Sequence, residues 1–133
     1  MKTNRILLVS GLLAAFTAAG HTLLGSAEIH RPLLDSGLPE RMRLLLYATY
    51  HLVTVTLLLS AAVLIWSARP ANKAAAGPLP VFVSVLWLLF GLVYIVVSLL
   101  FSGLPALLML PQWIFLISVG VLGLVGSRRQ TDS

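Results

Sequence analysis

Residues 44–66 read LLLYATYHLVTVTLLLSAAVLIW, an apolar run that holds one histidine, His51, and no Lys, Arg, Asp or Glu. An α-helix rises about 1.5 Å per residue, so a run of this length matches the roughly 30 Å of hydrocarbon in a bilayer. Three more stretches have the same character: Ile6 to Leu24, Val81 to Phe101 and Leu104 to Val125. The first carries His21, and the last two carry no charged residue at all. The pattern predicts an all-α fold, an integral membrane four-helix bundle with helices at about 6–26, 43–66, 81–102 and 104–126, making 1–133 a single transmembrane domain.

Composition supports that reading. With 59% hydrophobic and 10% charged residues among 133, and a mean hydropathy of +0.99, the chain has too little polar surface to cover a soluble globule. Cysteine is absent, which excludes disulfides, thiolate metal sites, lipidation at cysteine and thiol redox chemistry. The net charge of +5 does not point to nucleic acid, because the basic residues sit next to the ends of apolar segments with no basic face or aromatic platform. Lys2, Arg5, Arg69, Lys73, Arg128 and Arg129 fall on one side of the expected bundle, and Arg31, Arg41 and Arg43 on the other, mixed with Glu28, Asp35 and Glu40. By the positive-inside rule both termini are then cytoplasmic, in a multi-pass protein of the inner (plasma) membrane. A cleaved signal peptide is the rival reading of the first stretch, with Thr17 to Ala19 or Gly25 to Ala27 as cleavage sites, but its apolar region continues through His21 to Leu24 and has room to span.

Short connections make successive helices antiparallel neighbours, in up-down-up-down order. Residues 27–43 read as the longest outer loop, with Pro39 and Glu40 suited to the first turn of the second helix. Residues 67–80 read as a cytoplasmic linker, and Ser102, Gly103 and Pro105 as a tight hairpin. Helices in lipid associate through small residues. The first helix offers the rows Gly11, Ala15, Ala19 and Ser10, Ala14, Ala18, which Ser60, Ala61 and Ala62 can receive. Gly120 and Gly123 suit either the bundle or a partner subunit.

The polar residues gather by depth. His21 and His51 lie at comparable levels, roughly 9 to 12 Å inside the outer ends of their helices. Tyr47, His51 and Thr54 share a face, and Tyr94 and Ser98 of the third helix reach the same half. The fourth helix brings Gln112 and Trp113, beside Pro111, which kinks the helix and frees a carbonyl. Such groups are costly in hydrocarbon unless they face inward and find partners. In the plainest reading they bond to one another or to backbone carbonyls and fix helix register. Three sharper readings stay open. His21 and His51 with Glu28 or His30 would suit a divalent metal, although His30 lies in the polar loop and no HxxxH or ExxH spacing occurs. The two histidines as opposed axial ligands would suit haem b, with Arg31, Arg41 or Arg43 reaching its propionates. A cavity with histidine and tyrosine handles would take a lipid, a quinone or another small apolar molecule. Hydrolase chemistry through Ser98 or Ser102 lacks a nucleophile-elbow pattern, and phosphate-binding glycine loops are missing. The chain therefore reads as a structural or ligand-binding membrane protein rather than an enzyme. A homo-oligomer or a subunit that assembles with a membrane complex is the alternative.

Gly20-His21-Thr22-Leu23-Leu24-Gly25, followed by Glu28, Pro32-Leu33-Leu34 and His51-Leu52, resembles a pattern in small four-helix inner-membrane proteins of bacteria whose activity is not known. The resemblance covers mainly residues 20–55. It implies that the G-H-x-x-L-G segment and the second histidine belong together, and it brings no substrate or cofactor. Tyr50 stands where that pattern would have tryptophan.

Overall fold

A computed structural model describes residues 3–131; Lys2, counted above among the inner basic residues, lies outside them. The described chain is all-helical. Helix α1 runs over Arg5–Gly25 and starts at Asn4, whose side-chain oxygen accepts the backbone N–H of Leu7 at 3.1 Å, a normal N-cap. The helix does not end where the sequence pattern places its end. It widens into a π-helical turn, Ser26–His30, and passes into α2, Arg31–Leu34. Pro32 lies in the first turn of α2, where a missing N–H is tolerated, and the wide turn before it lets the helix continue. Most of the expected outer loop is thus helix, and residues 35–39 make the actual connection.

Helix α3, Glu40–Ser67, begins directly after Pro39 with Glu40 in its first turn, as the sequence predicts and a few residues earlier than position 43. The expected linker after it is also partly ordered into a 3-10 turn, Pro70–Asn72, and a short helix α4, Lys73–Ala76. Gly77, at φ +48°, turns the chain into α5, Leu79–Ser102, and Gly103, at φ +73°, ends that helix.

The fourth apolar stretch departs most from expectation. It is not one helix over 104–126 but a single turn, α6, Ala106–Met109, and then α7, Gln112–Thr131. Pro111 is the cause. It has no N–H for the carbonyl of Leu107 four residues back, and it pushes Leu110 out of the helical region, to φ −121° and ψ 69°. The indole N–H of Trp113 donates to the orphaned Leu107 carbonyl at 3.0 Å. As a result three helical runs among the described residues are long and apolar enough to cross a membrane: Arg5–Leu34, Glu40–Ser67 and Leu79–Ser102. The sequence pattern alone predicts four. Helix α7 begins with Gln112 and carries Arg128 and Arg129 in its last turn, so its apolar part, 114–125, is only about 18 Å long.

Helix α1 packs between α3 and α7, and α5 packs on α7. Each of these pairs is antiparallel. At one end of the molecule Asn4 acts as a clasp, its backbone N–H donating to Ala68 O at 2.9 Å and its side-chain amide to Gly126 O at 2.8 Å. Two turns along, Ser10 Oγ donates to Val119 O at 2.8 Å, and near the far end of the pair Phe16 meets Phe115 at 6.1 Å between ring centroids. Gly120 and Gly123 are buried at this junction: a Cβ on Gly120 would stand 2.6 Å from Leu88 Cγ, and one on Gly123 would strike Ser84. They serve contacts within the chain.

The core combines Leu7, Leu57, Leu64, Trp87, Leu116 and Val119 with Ala14, Ala18 and Ala61. Large apolar side chains point outward, with Leu23 73%, Phe101 81% and Leu108 82% exposed. Small residues therefore line the helix contacts while bulky ones face the surroundings. Replacing Asn4 by alanine removes an N-cap and the side-chain bond to Gly126 O, and is expected to destabilise the fold by about 1–2 kcal/mol. Gly123→Leu, which must push three helices apart, is expected to cost about 3 kcal/mol or more. Thermal unfolding in mild detergent, followed by circular dichroism, measures both.

Candidate functional site: a histidine and tyrosine cluster

At the end opposite the Asn4 clasp, α1, the π turn and the first half of α3 bring five rings together. Tyr47, Tyr50 and His51 occupy positions i, i+3 and i+4 on α3 and so project from one side. His21 of α1 stacks on Tyr50, with centroids 4.2 Å apart and planes 15° from parallel. His30, at the end of the π turn, meets Tyr50 edge-on at 4.1 Å, Tyr47 at 4.8 Å and His51 at 5.1 Å. Tyr47 and His51 close the group at 4.6 Å. Offset stacks and edge-to-face contacts at such distances favour aromatic pairs beyond simple area burial.

Tyr50 is the centre of the cluster. It is 8% exposed, and its hydroxyl donates to the backbone carbonyl of His21. Gly25 makes this possible, because a Cβ there would stand 2.7 Å from Tyr50 Cζ and 2.9 Å from Cε2. The physical content of the Gly20–Gly25 motif is therefore a helix face shaved flat one turn after His21, into which the Tyr50 phenol fits. Across the bundle, Tyr94 of α5 is half-buried against the core and close enough to interact electrostatically with Tyr50.

Four side-chain nitrogens among the described residues are buried without a hydrogen-bond partner, Arg43 Nε, Trp87 Nε1 and two imidazole nitrogens of the cluster. Nε2 of His21 and Nε2 of His30 are buried and have no hydrogen-bond partner, although buried polar atoms in folded proteins are nearly always paired. Among the described residues no carboxylate, lysine or arginine hydrogen-bonds to any of the three imidazoles. Arg43, one turn before Tyr47, instead donates from Nη1 to Leu34 O at 2.7 Å and ties α2 to α3.

The sequence-predicted site is assembled in part. His21, His51 and Tyr47 come together, and Tyr94 faces the group from α5. Ser98, one turn further along α5, is buried with its Oγ unpartnered. Gln112 is exposed at the start of α7, because the break at Pro111 moves it off the continuous helix that would have carried it inward. Glu28 points outward from the π turn, and among the described residues no three His, Cys, Asp or Glu side chains converge to hold a metal ion. The set His21, Glu28 and His51 is thus not formed. For the haem b reading, His21 and His51 would have to oppose each other across a plane, whereas both contact Tyr50 and they meet only through it.

His30 is the residue that sequence reasoning put in a solvated loop. In a regular α-helix nine residues carry it about half a turn away from His21. The π turn adds a residue to its own turn and rotates the chain beyond it, swinging His30 back over α3. Pro32 just beyond was the one available signal. Comparison with protein-family models, curated proteins and solved structures gives no match to this chain.

Tyr50→Phe keeps the stacked ring and loses the hydroxyl, and is expected to destabilise the protein by about 1 kcal/mol. Tyr50→Ala opens a cavity at the centre of the cluster and is expected to cost about 3–5 kcal/mol. Chemical denaturation in detergent separates the two. Diethylpyrocarbonate is expected to modify exposed His51 quickly and His21 slowly, with His21 accelerated in His30→Ala, read by peptide mass spectrometry.

Proposed function

We propose that this chain is a multi-pass protein of the bacterial inner membrane, folded as an up-down-up-down four-helix bundle, whose histidine and tyrosine cluster near the outer face binds a small ligand. The membrane reading draws support from the three long apolar runs and from their outward-facing bulky side chains. In water such a surface would aggregate, and in lipid it is solvated. Helix α7 is the short member and is carried by its antiparallel contacts with α1 and α5. The orientation draws support from charge. The Asn4 clasp brings the start of α1, the end of α3 and the end of α7 to one side, which gathers Arg5, Arg69, Arg128 and Arg129 there. That side is cytoplasmic by the positive-inside rule, leaving the cluster and the 35–39 connection outside.

The observation that carries the ligand reading is the pair of buried, unpartnered imidazole Nε2 atoms on His21 and His30. Ionisable groups inside a membrane domain are expensive and are kept where they do work. The ring contacts alone would fix helix register equally well with phenylalanines, which need no hydrogen-bond partner. The two imidazole nitrogens left open are the groups to which a polar ligand would bond.

Topology and ligand are tested separately. The absence of native cysteine makes single-cysteine labelling direct. Gly37→Cys, at a position with open space around it, is expected to react with a membrane-impermeant maleimide in intact spheroplasts. Ala71→Cys is expected to react only after permeabilisation, and the reverse pattern would overturn the orientation. For the ligand, the intact protein purified in mild detergent is expected to carry a stoichiometric small molecule, found by organic extraction and mass spectrometry and lost in the His21→Phe, His30→Phe double variant. Identical extracts from a folded double variant and the parent would sink the binding role and leave the cluster a packing device.

A further inference from the structure

We propose that the clasp end of the bundle binds the phosphate head group of an acidic phospholipid in the cytoplasmic leaflet, through Arg5 and Arg69 with Arg129 beside them. The inference rests on the membrane reading above and is independent of the ring cluster. Tertiary structure makes the patch. The backbone N–H of Asn4 donates to Ala68 O at 2.9 Å, and its side-chain amide donates to Gly126 O at 2.8 Å. Arg5 directly follows Asn4 and Arg69 directly follows Ala68, so their Cα atoms are at most about 11 Å apart. Arg129 lies one turn past Gly126, in the last turn of α7. Three helix ends thus present an arginine each at one junction.

The charge at this end has one sign. Arg5, Arg69 and Arg129 are exposed, and among the described residues no hydrogen bond or ion pair engages their guanidinium groups. Lys73 and Arg128 lie at the same end. The described acids, Glu28, Asp35 and Glu40, all lie at the opposite end, among Arg31, Arg41 and Arg43. An anion that approaches the clasp therefore meets cations with no described carboxylate to offset them. Arginine also suits phosphate in shape, because its planar fork makes two parallel N–H···O bonds where lysine offers a point charge.

The surface beside the arginines has the chemistry of the rest of a lipid. Arg5, Val9, Leu12 and Phe16 stand at i, i+4, i+7 and i+11 and so share one side of α1. Along that side Val9 is 52%, Leu12 55% and Phe16 66% exposed. On α3, Trp66 precedes Arg69 by about one turn and is 38% exposed, and indoles near the ends of membrane helices settle among the head groups. A cation at the end of an apolar stripe fits a molecule with an anionic head and hydrocarbon tails. The arginine stems can lie along the apolar surface while the guanidinium groups reach the head-group level. A soluble phosphate would engage the cations and leave the stripe without a role, which favours the lipid.

The test is titration of the full-length protein in mild neutral detergent with dioleoyl phosphatidylglycerol, followed by native mass spectrometry. Dioleoyl phosphatidylcholine is the zwitterionic control and inorganic phosphate the competitor. Phosphatidylglycerol is expected to bind roughly tenfold or more tightly than phosphatidylcholine, since each basic residue near the membrane surface adds about fivefold for an acidic lipid. That preference is expected to disappear in the Arg5→Gln, Arg69→Gln double variant and to persist in Arg31→Gln, Arg41→Gln, which removes the same charge from the opposite end. Circular dichroism and the thermal midpoint establish that each variant is folded. If the first double variant does not fold, the single variants Arg5→Gln and Arg129→Gln take its place, each expected to weaken binding about fivefold. Equal affinity for the two lipids, an undiminished preference in the folded Arg5 and Arg69 variants, or an equal loss in the Arg31 and Arg41 variant overturns the inference. Displacement of the lipid by millimolar inorganic phosphate also overturns it and assigns the arginines to a soluble anion. The membrane reading is checked apart from this: a chain released from membranes by sodium carbonate without detergent fails that reading. A chain that needs detergent and shows no preference for phosphatidylglycerol fails this inference alone.

Discussion

Where Gly123 of α7 passes Ser10 of α1 and Ser84 of α5, three helices approach too closely for any side chain larger than hydrogen. The rest of the structure depends on this approach. Bulk hydrophobicity gives helices in lipid little reason to associate, so their cohesion comes from close van der Waals contact and from polar groups that find partners. Both occur at this junction. Ser10 Oγ reaches Val119 O, and Ser84 and Ser127 return their hydroxyls to the carbonyls of Pro80 and Gly123 at 2.5 and 2.7 Å. Each of these three hydroxyls is satisfied by backbone, while the indole N–H of Trp87, in the same core, is buried without a partner.

The half that holds the ring cluster obeys a different rule. Pro111 shortens α7, and the chain before it is the single turn α6, packed on α5 and tied by the indole bridge from Trp113 to Leu107. Packing there relies on rings: Tyr50 against His21 and Gly25, His30 over Tyr50 and Tyr47. The Tyr50 hydroxyl is satisfied by the His21 carbonyl, yet the imidazole nitrogens of His21 and His30 are left open. Functional positions are where local rules of satisfaction and regular helix geometry are commonly broken, and here the open imidazoles and the π turn both fall within His21–His30.

Much of this was readable from the chain. Long apolar runs and their polar punctuation indicated an all-helical fold, and Pro39 with Glu40 located the start of α3, because these features act locally along the backbone. His21, Tyr47 and His51 were recognised as one group since helical periodicity alone aligns Tyr47 with His51 and depth alone aligns His21 with them. Glu28, Gln112 and His30 were misjudged for a common reason. Each lies beside a proline or a widened turn, and there the angular position of a side chain depends on how the helix accommodates the irregularity.

By itself, then, the sequence determined that the described chain forms helices, that it holds long apolar runs, of which it indicated four and the structure keeps three at spanning length, and that charge divides unevenly between the ends, because these properties are sums over neighbouring residues. Only the tertiary structure decided that Gly120 and Gly123 face α1 and α5, that Pro111 breaks the last apolar stretch in two, and that His30 rather than Glu28 joins His21. Those outcomes turn on rotation about a helix axis, where one residue more or less in a turn moves a side chain by about 100°, and only packing against another helix fixes which angle is kept.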